Sequence, residues 1–103
     1  MESVVRYTTP TFKVTFDTIT VSSIAVAYLV FKQGNVKLLE LDLESATVGD
    51  KYLSWKLTQE QASLFSCRST VKVVCDWKLA DGTRGRSDEL FCSIKPPGKN
   101  EVI

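Results

Sequence analysis

Hydrophobic and polar positions alternate with a period of two along much of this chain. Val71, Val73, Cys75, Trp77 and Leu79 share one parity, while Lys72, Asp76 and Lys78 share the other, which marks a half-buried strand. Leu53, Trp55 and Leu57 alternate with Tyr52, Ser54 and Lys56 in the same way, and Phe12, Val14 and Phe16 alternate with Thr11, Lys13 and Thr15. Residues 24–31 are apolar on both parities and mostly β-branched or aromatic, so they predict a central strand. Leu39, Leu41 and Leu43 set against Glu40, Asp42 and Glu44 predict its return strand. Leu90, Cys92 and Ile94 set against Glu89, Phe91 and Ser93 predict a last strand within residues 85–95.

The residues between these runs supply the turns. Gly34-Asn35 and Gly49-Asp50 punctuate the middle of the chain, Asp81-Gly82 predicts a type I′ hairpin turn, and Pro96-Pro97-Gly98 ends the last strand. In Thr58-Gln59-Glu60-Gln61 the Thr58 hydroxyl can accept from the amide of Gln61 while the Gln61 side chain reaches back to the backbone of Thr58, so a short helix should start there. Ala62, Leu64 and Phe65 give that helix an apolar side. The fold class that results is all-β: an immunoglobulin-like β-sandwich of about seven strands with one short helical crossover. It forms a single domain over residues 1–103, with residues 96–103 as a short flexible tail.

Composition narrows the chemistry. With 103 residues and 44% hydrophobic content, the chain can bury one core. Thirteen Lys and Arg against twelve Asp and Glu leave a net charge of +1, so no global field draws in a polyanion, and nucleic acid is not an expected partner. Residues 1–6 lack a basic start followed by a long apolar run, so no secretory signal is expected. No stretch approaches the roughly 20 apolar residues of a membrane-crossing helix, so no membrane partner is expected either. Cys75 and Cys92 fall on apolar parities and read as small buried hydrophobes; a disulfide between them is the alternative, disfavoured without a secretory signal. Histidine is absent and no CxxC pair occurs, which removes the commonest general base and the commonest zinc ligands. Neither a cofactor nor a metal is expected, and the chain does not read as an enzyme.

Several surfaces could instead hold a partner. The strand that opens with Thr11 and Lys13 follows Pro10, which suits a sheet edge or a strand entry. Tyr28 or Phe31, together with Phe91, sit on strands whose two faces both look apolar, so an outer face containing Phe31 and Phe91 is expected to be covered by another protomer. Arg84 and Arg86, with Lys78, flank the Asp81-Gly82 tip and either grip an acidic partner or form a solvated hairpin that blunts an edge. Glu40, Asp42 and Glu44 form an acidic row on one strand face, read as solvated. Val102 and Ile103 are an apolar tail that can dock on a neighbour. Trp55 and Trp77 share the parity of Leu53, Leu57, Val73 and Leu79, so they read as core rather than as a sugar-stacking platform.

Tyr7-Thr8-Thr9-Pro10-Thr11-Phe12, Leu57-Thr58-Gln59-Glu60-Gln61, Val71-Lys72-Val73 leading to Asp81-Gly82-Thr83, Ser87-Asp88 and the ending Glu101-Val102-Ile103 together resemble a group of small proteins encoded in genomes and prophages of gut Firmicutes, commonly among phage structural genes. The Leu-Thr-Gln-Glu turn and the trailing Asp-Gly hairpin are also similar to the immunoglobulin-like N-terminal domain of phage baseplate upper proteins. The likeness does not extend to the longer C-terminal region of those proteins. It implies a virion or tail-associated structural protein with no catalytic residues, made in the cytoplasm of a bacterial host and working through contacts with copies of itself or with other virion proteins. Two other readings fit the residues: a carbohydrate-binding module that uses the hairpin tips, and a small phage-encoded regulator that binds a host protein.

Overall fold

The alternating runs fold into two sheets. The computed structural model describes residues 2–67 and 69–98. In chain order these form β1 (Glu2–Val5), β2 (Thr11–Thr15), β3 (Ile24–Gln33), β4 (Val36–Asp42), β5 (Thr47–Val48), β6 (Tyr52–Lys56), the helix α1 (Gln59–Ala62), β7 (Val71–Leu79), β8 (Arg84–Arg86) and β9 (Leu90–Lys95). The larger sheet runs β1-β9-β7-β3-β4 with β8 also beside β7, and the smaller runs β2-β6-β5. All pairings are antiparallel except β1 with β9. This is an all-β sandwich of immunoglobulin-like type, in which the helical crossover α1 carries the chain from β6 in one sheet to β7 in the other.

Local chemistry explains each joint. Thr58 accepts from the Gln61 amide at 3.1 Å and its own amide donates to the Gln61 side chain at 2.8 Å, so the capping box forms as the sequence predicts. The Asp81-Gly82 turn differs from prediction. A type I′ turn needs positive φ at both central residues, yet Gly82 has φ 94 while Asp81 is not in that region. The Gly82 amide donates to the Leu79 carbonyl, and the Leu79 amide to the Thr83 carbonyl. The loop is thus one residue longer, with Asp81 accepting from the Thr83 amide at 2.8 Å.

The strand count exceeds seven for two physical reasons. Val4 is buried opposite Ile94 and makes residues 2–5 a strand too short to announce itself by alternation. The expected strand over residues 85–95 is also broken after Arg86, because Ser87 turns back on Cys75: the Ser87 amide donates to the Cys75 carbonyl at 2.8 Å, and the Cys75 amide to the Ser87 hydroxyl at 2.9 Å. One flank of β7 is therefore shared, Asp76–Lys78 with β8 and Val71–Val73 with β9. Val71, not Cys75, stands opposite Cys92. Four residues of strand, about 13 Å, separate the two cysteine rows, too far for a disulfide. Both are buried thiols.

The core lies between the sheets and is built on aromatics. Phe31, from the centre of the larger sheet, meets Phe12 of the smaller sheet edge-on at 5.1 Å and stacks on Phe65 of the crossover at 5.5 Å. Trp55 is enclosed, and its indole N–H donates to the Asp42 carbonyl at 2.8 Å. Trp77 packs partly against this core, with its ring edge-on to Phe16 at 5.0 Å. Phe31 therefore belongs to the interior and not to an outer face: its relative exposure is 0%, against 44% for Phe91. The register pairs it with Leu39 and Val73, both on the inward parity.

Phe31→Ala should cost roughly 3–5 kcal/mol by opening a cavity, whereas Phe91→Ala should cost less than about 1 kcal/mol; urea denaturation of the two variants checks the assignment. Thr58→Ala should cost about 1 kcal/mol through loss of the cap, read as a lowered denaturation midpoint.

Candidate functional site

The edge strand expected at Thr11 and Lys13 is real, and its chemistry follows from its pairing. The Phe16 amide donates to the Lys51 carbonyl at 2.7 Å and the Leu57 amide to the Pro10 carbonyl at 2.9 Å. With the register of β2 on β6, alternation makes Phe12 and Val14 the residues whose backbone groups face β6. The backbone groups of Thr11, Lys13 and Thr15 point the other way, and among the described residues they meet no partner. Three successive donor–acceptor sets thus line an open edge, spaced as an added strand would require.

Beside this edge the sandwich stays open. A cleft runs between β2 and the larger sheet, with Phe12, Val14, Leu29, Val73, Cys75 and Leu90 as its apolar lining. It continues past Pro10 and Thr11 towards Val4 and Cys92. Lys13 borders it on the β2 side, and Ser87 and Asp88 on the other, where the chain steps from β8 to β9. The step that interrupts the last strand therefore also shapes the cleft wall. Burial, with the Asp76 carboxylate beside it, pushes the Cys75 thiol in this wall up to about 12.

Lys13 does not shield the edge. Its ammonium sits 4.4 Å from the centroid of the Tyr52 ring, over the outward face of the small sheet, a favourable cation–π placement. Among the described residues it has no carboxylate partner. The Tyr52 ring lies in turn against Gly49, where a Cβ would fall 2.0 Å from a ring carbon. Only glycine at the turn lets the ring lie where Lys13 covers it. Nothing in the alternation pattern announces this stack; the Gly49-Asp50 turn three residues before Tyr52 was the available signal.

The other predicted residues do not converge on one site. Arg84 and Arg86 share a face of β8, but Arg86 is held by Asp76 at 2.7 Å, which raises its pKa through that hydrogen bond and charge. Arg84 stands opposite Lys78 on the same rim, with Val26 and Tyr28 nearby. Phe91 does lie on the outer face of the larger sheet, opposite Lys72. Tyr28 is on the same face but on the Asp76 row, about 13 Å away along the strands. Ion pairs of Asp76 with Arg86 and of Lys72 with Glu89 interrupt the face between them, so it is no continuous apolar patch. The acidic row is broken as well. Glu40 pairs with Lys37 at 3.5 Å, Asp42 caps a 3-10 turn by accepting from Ser45, and Glu44 lies in that turn (Leu43–Ser45) instead of on the strand. Val102 and Ile103 lie outside the described residues.

No protein-family model and no curated protein matches this sequence.

A thiol reagent applied to the folded protein should label exposed Cys67 and spare Cys75 and Cys92 until denaturant is added, as mass spectrometry would show. The folded Cys75 thiol is raised above its free value of 9.0, so its contribution to stability is complete below that pH and is lost as pH climbs towards the folded value. Urea midpoints measured upward from pH 8 should therefore fall more steeply in the wild type than in Cys75→Ala.

Proposed function

We propose that this chain is a non-enzymatic assembly module that works by accepting a strand from another protein along β2, in the kind of virion setting that the resemblance to phage structural proteins implies. The observation that carries this reading is the open edge itself: three donor–acceptor sets on Thr11, Lys13 and Thr15 that meet no partner among the described residues, set beside an apolar cleft. An added strand would pair with that edge through its backbone and lower alternate side chains into the cleft. Main-chain bonding supplies affinity, and the cleft supplies selectivity.

Two features give the carbohydrate alternative little support. The enclosed Trp55 has its indole N–H engaged by Asp42, and Trp77 faces inward towards Phe16. Trp55 offers no ring to a sugar, and the partly buried Trp77 ring is packed on Phe16 and over Gly85. Among the described residues no helix is long and apolar enough to cross a membrane.

The test is cofractionation with particles. A tagged chain expressed in its own host after prophage induction should sediment with virions, and Thr15→Pro should remain in the soluble fraction. Proline at position 15 deletes an edge-facing N–H without removing a bond to β6. A wild-type chain found only in the soluble fraction would remove the virion role, and a Thr15→Pro chain that still sediments would remove the role of the edge.

A further inference from the structure

We infer that the strand accepted by β2 comes from a different polypeptide and carries an acidic residue flanked on each side by an apolar one. This rests on the edge-docking reading above and adds the chemistry of the occupant.

The pattern follows from the parity of the site. Thr11, Lys13 and Thr15 present their backbone groups to the open edge and their side chains to the outward face of the small sheet. A strand paired there antiparallel sets one residue directly opposite Lys13, on that same outward face, and its two sequence neighbours point into the cleft. The neighbours meet the apolar lining from Phe12, Leu29, Val73 and Leu90, so they must be apolar to be buried without loss. The residue opposite Lys13 faces a lysine whose ammonium lies over Tyr52 on the β6 side, with no carboxylate among the described residues, and an acidic residue there can draw that ammonium back across β2 to pair with it. Opposite charges on facing residues of a strand pair stabilise it, and like charges oppose it. Asp88, on the far side of the cleft, disfavours an inward acidic residue, so the carboxylate belongs only on the outward parity.

The same rule disfavours a second copy of this chain. Two β2 edges related by a two-fold axis overlap fully when Thr11 meets Thr15, and that register sets Lys13 against Lys13. The chain does contain an apolar–acidic–apolar run at Leu39-Glu40-Leu41 on β4, the outer strand of the larger sheet. That strand is a poor donor. Its register shifts opposite Phe31 and Lys32, Glu40 is paired with Lys37, and the carbonyl of Asp42 is occupied by Trp55.

The experiment uses the full chain and two blocked synthetic peptides, Ser-Thr-Val-Glu-Val-Thr-Ser and Ser-Thr-Val-Lys-Val-Thr-Ser. The readout is amide hydrogen exchange by NMR. The glutamate peptide should slow exchange at the amides of Thr11, Lys13 and Thr15 and bind about five-fold more tightly than the lysine peptide. In Lys13→Glu, an exposed substitution that leaves the core untouched, the order should reverse. Light scattering of the chain alone should give the monomer mass of 11.5 kDa at every concentration. Equal binding of the two peptides with the three amides protected would overturn the acidic rule while leaving edge docking in place. Failure of both peptides to protect those amides would overturn the docking reading with it. A concentration-dependent dimer that Thr15→Pro dissolves would overturn the assignment to a different polypeptide.

Discussion

The packing of Phe31 between Phe12 and Phe65 is the contact on which the rest of this structure depends. Phe31 comes from β3 of the larger sheet, Phe12 from the edge of the smaller one and Phe65 from the crossover that joins them. One buried ring therefore fixes the distance between the sheets and the path of the chain from one to the other. Gln33, two residues beyond Phe31 on β3, extends the same hold. Its side chain donates to the Ser66 and Ser69 carbonyls and accepts from the Ser66 amide, tying down the segment that follows Phe65. Non-directional burial and a few directional bonds divide the work here: the rings exclude water, and the amide fixes the backbone that carries them.

That arrangement also decides which edge stays open. The first strand could pair with β2 or with β9, and it joins β9. Val4 packs into the core there, the Arg6 amide donates to the Lys95 carbonyl, and the Arg6 guanidinium reaches the Ser63 carbonyl at 2.9 Å. Tyr7 then turns the chain with φ 62, a conformation few non-glycine residues adopt. Phe12 is held in place by Phe31, so β2 cannot swing across to close the seam without breaking that edge-on aromatic contact. The open edge and the apolar cleft beside it are two results of the same choice.

Much of the fold was legible in the sequence because burial in a sandwich has a period of two. The β2, β6 and β7 alternations, the Thr58 capping box and the interior place of Trp55 all follow from local pattern and are all present. The expectation for Phe31 fails where that signal fails: residues 24–31 are apolar on both parities, so alternation cannot say which aromatic faces in. The break at Ser87 was invisible for a different reason. It depends on a long-range exchange of hydrogen bonds with Cys75 that no local pattern encodes. Of the candidate site, the β2 edge could be read from Pro10 and the alternation after it. The cleft, the Tyr52 ring beneath Lys13 and the need for Gly49 could not, since each arises from residues brought together by register.

Lys13 gives this edge a double character. A short strand with a central lysine is a common way to discourage edge-to-edge aggregation, and Lys13 satisfies that description for two identical edges. Yet its side chain lies over Tyr52 and leaves the backbone groups of Thr11, Lys13 and Thr15 accessible. A charge that repels its own kind while leaving the hydrogen-bonding edge exposed does not close the edge; it restricts what can pair there. Protection from self-association and selection of a partner then come from one residue, and a substitution that neutralised Lys13 would relax both together.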